Sequence, residues 1–296
     1  LLLLPVSADR TQFVPPSPNP ISDSDRASSL NASIRDGMLH AASVGAGESF
    51  ISAFGILLRG STVQIGLLSS LPPFIGALAQ TFSVWLSTHI SSRRAVIVFG
   101  STVQAFFWFP IAVLPFLLGV GTTPAAVLIG LVTLYQIFFG LTVPAWNSLI
   151  GDIVPPAERG AYFGRRNKLV GIATFIAMTS AGAILNLCNN LTPASILGSS
   201  LGFAIIFSAA GICRFRSARQ LARYADPMPP HDTDSFFSFL QFLRRAPFSN
   251  FGRFVLFFSI INFAVNFSGP YFALYMLREL KFSYLQFTII TAVATI

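Results

Sequence analysis

From residue 37 onward the chain is written in apolar runs of about twenty residues, separated by short polar joints. At about 1.5 Å rise per residue such a run makes a helix about 30 Å long, the thickness of the hydrocarbon layer of a bilayer. Spans fall near 37–58, 62–87, 95–119, 123–150, 168–188, 195–213 and 254–277, and an eighth begins near 283. Composition supports lipid as the solvent. Only 10% of the 296 residues are charged, against about 25% in a soluble domain. There are 31 Phe and the mean hydropathy is +0.67, so a water-soluble fold would leave apolar surface exposed. The expected fold is an all-α integral membrane bundle.

The flanks are of a different kind. Residues 1–33 hold Pro5, Pro15, Pro16, Pro18 and Pro20 among polar residues and read as a disordered tail. The opening Leu1–Leu4 lacks the basic start and the apolar length of a signal peptide. Residues 34–213 make a six-helix N-terminal half, 214–253 a basic connector, and 254–296 the start of a C-terminal half. The last run stops at Ile296 in mid-helix, so the chain reads as a partial copy. Six spans, a long connector and further spans suggest a 6 + 6 plan, in which substrate binds at the midplane between repeats.

Charge then orients the bundle. One side collects Arg10, Arg26 and Arg35, then Arg93 and Arg94, then Arg159, Arg165, Arg166 and Lys168. After the sixth span it collects Arg214, Arg216, Arg219, Arg223, Arg244, Arg245 and Arg253. The other side holds Arg59, Arg278 and Lys281 alone, out of 19 Lys and Arg in all. Basic loops stay in the cytoplasm, which puts the N-terminus there and makes the chain a multi-pass protein of the inner membrane. The net charge of +8 is therefore a topology signal, and no nucleic-acid partner is implied.

Inside the spans, polar side chains are few. Glu48 lies about 16 Å into the first span, and its stretch reads "GAGESFISAFG". A charge in lipid is costly and is by default functional. Desolvation penalises the charged form, so Glu48 is a candidate to take up and release a proton or to attract a cation. The alternative is a structural carboxyl hydrogen-bonded within the bundle. Val44, Glu48, Ser52 and Gly55 fall on one helical face, small and polar like a cavity wall. Ala41, Gly45 and Ser49 form a second, small-residue face suited to packing on a neighbouring helix. In the seventh span Asn262 and Asn266 stand one turn apart, and either a polar substrate or a neighbouring helix must satisfy them. Gln80 and Gln136 on the second and fourth spans are further cavity candidates, interhelical bonding being the other reading. Trp85, Trp108 and Trp146 read as interfacial anchors, and His40 lies shallow in the first span.

Enzyme chemistry has little to stand on. His40, His89 and His231 are scattered without metal spacing. Phosphate-binding Gly loops followed by Lys are absent, and no Ser sits in an elbow motif. Cys188 and Cys213 make neither a disulfide framework nor a metal set. No cofactor is implied, and the chain does not read as an enzyme.

Three stretches resemble the major facilitator superfamily, in particular a poorly characterised bacterial branch of it. "GDIVPPAERGAYFGRRN" is similar to the loop that joins spans 4 and 5 in that family. "FSFLQFLRRAPFSNFGRF" is similar to the approach to span 7, and "VGAGESFISAFG" to the first span of the branch. The loop between spans 2 and 3, "WLSTHISSRR", keeps Arg93 and Arg94. It has Trp85 and His89 where the family has Gly and Asp. The resemblance implies alternating access by rocking of two halves. It also implies a cytoplasmic gate drawn from Arg93, Arg94, Asp152, Arg159, Arg165 and Arg166; the other reading is that these charges only fix topology.

The expected function is secondary active transport of a small solute, coupled to protons through Glu48, by a monomer in the lipid bilayer. The pathway residues would be Glu48, Ser52, Gln80, Gln136, Asn262 and Asn266. The rival reading is a non-transporting membrane sensor or an inactive remnant of a transporter. With Glu48 the one charge expected deep in a span, a strongly anionic solute is disfavoured.

Overall fold

The computed structural model of the chain describes residues 21–90, 92–191, 196–227 and 248–293; the side chains of 84, 85, 87–89, 191, 196, 266–270, 292 and 293 lie outside that description. The described residues are helical almost throughout. In chain order the helices are α1 (Asp23–Ala46), α2 (Ile51–Leu57), α3 (Thr62–His89), α4 (Arg93–Leu118), α5 (Thr122–Ile153), α6 (Arg159–Leu191), α7 (Ile196–Leu221), α8 (Asn250–Leu274) and α9 (Tyr284–Val293). Five of the described helices are long and apolar enough to cross a membrane: α3 through α7. Each element falls where hydropathy expects a span, and the fold is an all-α membrane bundle.

Three boundaries differ from expectation, each for a local reason. α1 begins at Asp23, inside the segment expected to be a disordered tail. The Ser22 side chain accepts from the Asp25 amide at 3.1 Å, and Asp23 and Asp25 sit in the first turn, where negative charge meets the positive end of the helix dipole. Residues 1–20 and 228–247, the rest of the tail and most of the connector, lie outside the described residues. α6 starts at Arg159 rather than near 168. Arg and Lys are good helix formers, so the helix extends beyond the apolar run through its basic stretch. For the same reason α7 continues to Leu221, and Arg214 and Ser217 belong to a helix of the bundle rather than to a connector.

The first span is not one helix. α1 stops at Ala46, and Glu48–Phe50 form a 3-10 turn before α2. Gly47 has φ −113° and ψ −76°, and a Cβ there would sit 2.6 Å from the Trp108 ring. The missing side chain lets the break lie against Trp108. Helical spacing therefore does not hold across the break, and the expected Val44–Glu48–Ser52 face does not exist as a continuous stripe. The small-residue face does serve in α1. A Cβ on Gly45 would come within 2.5 Å of the Thr174 carbonyl, so α1 packs against α6 at backbone distance.

α1 packs on α6 and α7, α4 on α5 and α7, and α3 on α5. The main core joins Phe50, Phe54, Trp108, Tyr135, Phe203 and Phe207. A second cluster, with Val96, Leu149, Ile153, Leu221 and Tyr224, closes the basic end. Trp108 is wholly buried, against Tyr135 and Phe207, and is core rather than an interfacial anchor. α8 carries exposed Phe254, Phe257 and Phe258 and touches α2 and α3, while α9 packs on α6.

The turns before α3 and α9 repeat one design. Arg59 and Lys281 both adopt positive φ, 59° and 53°. Two residues after each stands a Ser, and three further on a Gln. Ser61 accepts from the Gln64 amide at 3.2 Å while Gln64 Oε1 accepts from the Ser61 amide at 3.0 Å. Ser283 and Gln286 make the same two bonds at 3.3 and 2.9 Å. Both helices thus start on the same reciprocal cap.

Candidate transport site and gate

The basic end is tied together by Arg93, the first residue of α4. Its guanidinium is nearly buried and donates to Asp152 at 2.7 Å, to the Ser148 hydroxyl at 2.8 Å and to the Pro227 carbonyl at 2.7 Å. Arg94 donates to the Tyr224 carbonyl at 2.8 Å, and Ser92 donates to Asp226 at 2.6 Å. Arg159 bonds the Gly151 and Val154 carbonyls at 2.8 and 3.3 Å, so it caps the end of α5. Of the residues expected at a gate, Arg93 and Asp152 pair, Arg94 and Arg159 bond backbone carbonyls, and Arg165 is exposed without a partner among the described residues. Arg166 faces another way.

Arg166 turns into the bundle, toward Asp36 of α1. Its nearer contacts are long: 3.9 Å to the Asp36 carboxylate and 3.4 Å to the Ser33 carbonyl. Its guanidinium lies over the Trp146 ring, 4.7 Å from the centroid. Trp146 is therefore a wall of an internal site rather than an interfacial anchor. Asp36, 4% exposed, accepts from Ser217 at 2.6 Å and from the Tyr224 hydroxyl at 3.3 Å. Burial, with the Asp36 carboxylate beside it, pushes the Tyr224 phenol up, which keeps it a donor. Arg214, equally buried, donates to Gln104 at 2.8 Å and to Ser217 and Ser101 at 3.0 Å each. Asp36, His40, Ser101, Trp146, Arg166 and Arg214 line a cavity of 260 Å³.

Deeper in the bundle, at the break between α1 and α2, Glu48 accepts a hydrogen bond from Tyr135 of α5 at 2.6 Å. Tyr135 packs edge-on to Trp108, with ring centroids 5.3 Å apart.

The remaining pathway candidates are dispersed. Ser52 lies 3.4 Å from Ser69 of α3. Gln80 and Gln136 are half-buried on α3 and α5, and neither lines the cavity beside Asp36. Asn262 is exposed on α8 and donates to the Phe258 carbonyl of its own helix at 2.9 Å. The side chains of Asn266, Trp85 and His89 lie outside the described residues.

Asp36, Arg214 and Tyr135 are not singled out by the sequence reading, and Glu48 is not the one charged side chain inside the bundle. A signal for them exists. Ser101 and Gln104 on α4, and Arg214 and Ser217 on α7, are polar pairs three residues apart, which places each pair on one helix face. Their convergence on one point depends on how the helices cross.

Residues 38–296 match the family model of the Major Facilitator Superfamily, all but the first 37 residues. The chain belongs to the Major Facilitator Superfamily. It is thus a multi-pass membrane protein of a transporter family, in line with the resemblance carried by its Gly151–Asn167 and Val44–Gly55 stretches. No curated protein matches the chain.

Proposed function

We propose that this superfamily member moves a small solute across the inner membrane by alternating access, with its basic end in the cytoplasm and proton coupling through Glu48. The observation that carries the reading is the Glu48–Tyr135 hydrogen bond of 2.6 Å, set where the first span breaks. A partly buried carboxyl at a helix break has a donor to hold and backbone free to rearrange, and such discontinuous helices bind coupling ions in transporters. The Arg93–Asp152 pair at the basic end supports the gate. It joins α4 to α5 and reaches the segment after α7 through Pro227, so its opening would free three elements together.

The test uses the purified protein in vesicles loaded with a pH-sensitive dye and challenged with a panel of small solutes. Wild type acidifies or alkalinises the lumen with a transported solute, and Glu48→Gln abolishes the proton signal. A proton signal of unchanged size in Glu48→Gln refutes the coupling role.

A further inference from the structure

We infer that the cavity between α1, α4, α5, α6 and α7 is a binding site for a small monocarboxylate. It lies toward the basic end, apart from the Glu48–Tyr135 pair, and the inference does not depend on proton coupling there.

Charge is the first argument. Two guanidiniums, of Arg166 and Arg214, face the cavity with one carboxylate, Asp36. That leaves an excess of one positive charge in a place where unpaired charge is costly. Asp36 is already engaged by Ser217 at 2.6 Å and Tyr224 at 3.3 Å, and it stands 3.9 Å from Arg166, too far for a hydrogen bond. A single anionic group on the ligand balances the set.

Donor geometry is the second. A guanidinium has five N–H groups. Arg214 donates three, to Gln104, Ser217 and Ser101. Arg166 is held by its face against Trp146 and by a single long contact to the Ser33 carbonyl at 3.4 Å. A stacked guanidinium presents its planar fork edge-on, the shape that takes a carboxylate in two parallel bonds. His40, on the same wall, has a buried Nδ1 with no hydrogen-bond partner.

Size and lining set the class. The cavity, at 260 Å³, is below the roughly 300–1,000 Å³ of drug-sized sites, so the ligand carries few heavy atoms. Phe139, Val143 and Ile97 line it too and suit a short carbon body. This revises the expectation that an anionic solute is disfavoured, which rested on Glu48 being the one charge within the spans.

Thermal melting of the full chain in lipid nanodiscs tests the assignment, with acetate, lactate, pyruvate and benzoate as probes, their methyl esters as neutral controls and chloride as the simple anion. At least one acid is expected to raise the melting temperature saturably, with its ester and chloride inert at equal concentration. Arg166→Gln is expected to weaken binding about tenfold or more, the worth of one charge-assisted hydrogen bond. Arg214→Gln should do the same. Should that buried substitution prevent folding, Arg166→Gln, whose side chain is 14% exposed, still decides the matter. No shift with any acid, equal shifts with esters or chloride, or unchanged affinity in Arg166→Gln overturns the proposal.

Discussion

Replacing either member of the Arg93–Asp152 pair removes the same 2.7 Å contact, yet the two replacements should not cost the same. The Arg93 side chain is 5% exposed and Asp152 is 42% exposed. Arg93 also serves Ser148 and Pro227, so Arg93→Met deletes three hydrogen bonds from a desolvated hub. At about 1 kcal/mol net each, and somewhat more for a charged donor, the loss is about 3 kcal/mol. Asp152→Asn keeps an acceptor and leaves a half-solvated site, where an ion pair is worth about 1 kcal/mol or less. Equilibrium unfolding of the purified protein in mild detergent, titrated with SDS and read by tryptophan fluorescence, gives both values. The double variant then isolates the pair, whose coupling should be about 1 kcal/mol. Equal costs for the two single variants would refute the reasoning, because Arg93 would then be one end of a simple ion pair rather than the knot that binds α4, α5 and the segment after α7.

Two further perturbations follow from packing. Trp108→Ala empties a wholly buried site between Tyr135 and Phe207 and should cost about 3–5 kcal/mol in the same unfolding assay; a cost under about 1 kcal/mol would mean that Trp108 is not core. Gly45→Ala places a methyl within 2.5 Å of the Thr174 carbonyl and should cost about 1–3 kcal/mol by overpacking. Gly130→Ala, which meets nothing within 4 Å, should be neutral or stabilising by helix propensity.

The spans were legible because lipid imposes one rule along the whole chain. A run of about twenty apolar residues is helical regardless of its neighbours, and α3, α4 and α5 begin within two residues of the expected positions. Helix ends in water were less legible. Arg159 and Arg219 are as compatible with a helix as with a loop, so α6 and α7 run further than hydropathy alone extends them. Within the site, Glu48 stood out because an acid amid apolar residues is visible in one dimension. Arg214 did not. It sits at the edge of an apolar run and counts as a loop base until α1 and α4 are laid beside it. The family resemblance grouped Arg93 and Asp152 among six gate residues but did not pair them; the 2.7 Å contact is a finding of the structure. Nor was the inward turn of Arg166 legible, because one residue of helical rotation separates it from the exposed Arg165.

The two internal polar sites share the first span, and the Arg93–Asp152 cluster is tied to one of them. Asp36 lies within α1, and Glu48 lies just past the Gly47 break. The segment that follows α7 bridges gate and cavity. Arg93 and Arg94 hold it by the Pro227 and Tyr224 carbonyls, Ser29 of α1 accepts from the Ala225 amide at 2.9 Å, and the Tyr224 hydroxyl reaches Asp36. Loosening Arg93 and Arg94 together therefore withdraws support from the segment that carries Tyr224, one of the two donors that occupy Asp36. An Asp36 carboxylate released in this way is free to close the 3.9 Å gap to Arg166 and to compete for the guanidinium that an anionic ligand would use. Under the proposed gating and ligand site, these contacts would couple opening at the basic end to lower affinity in the cavity, with α1 as the rod common to both.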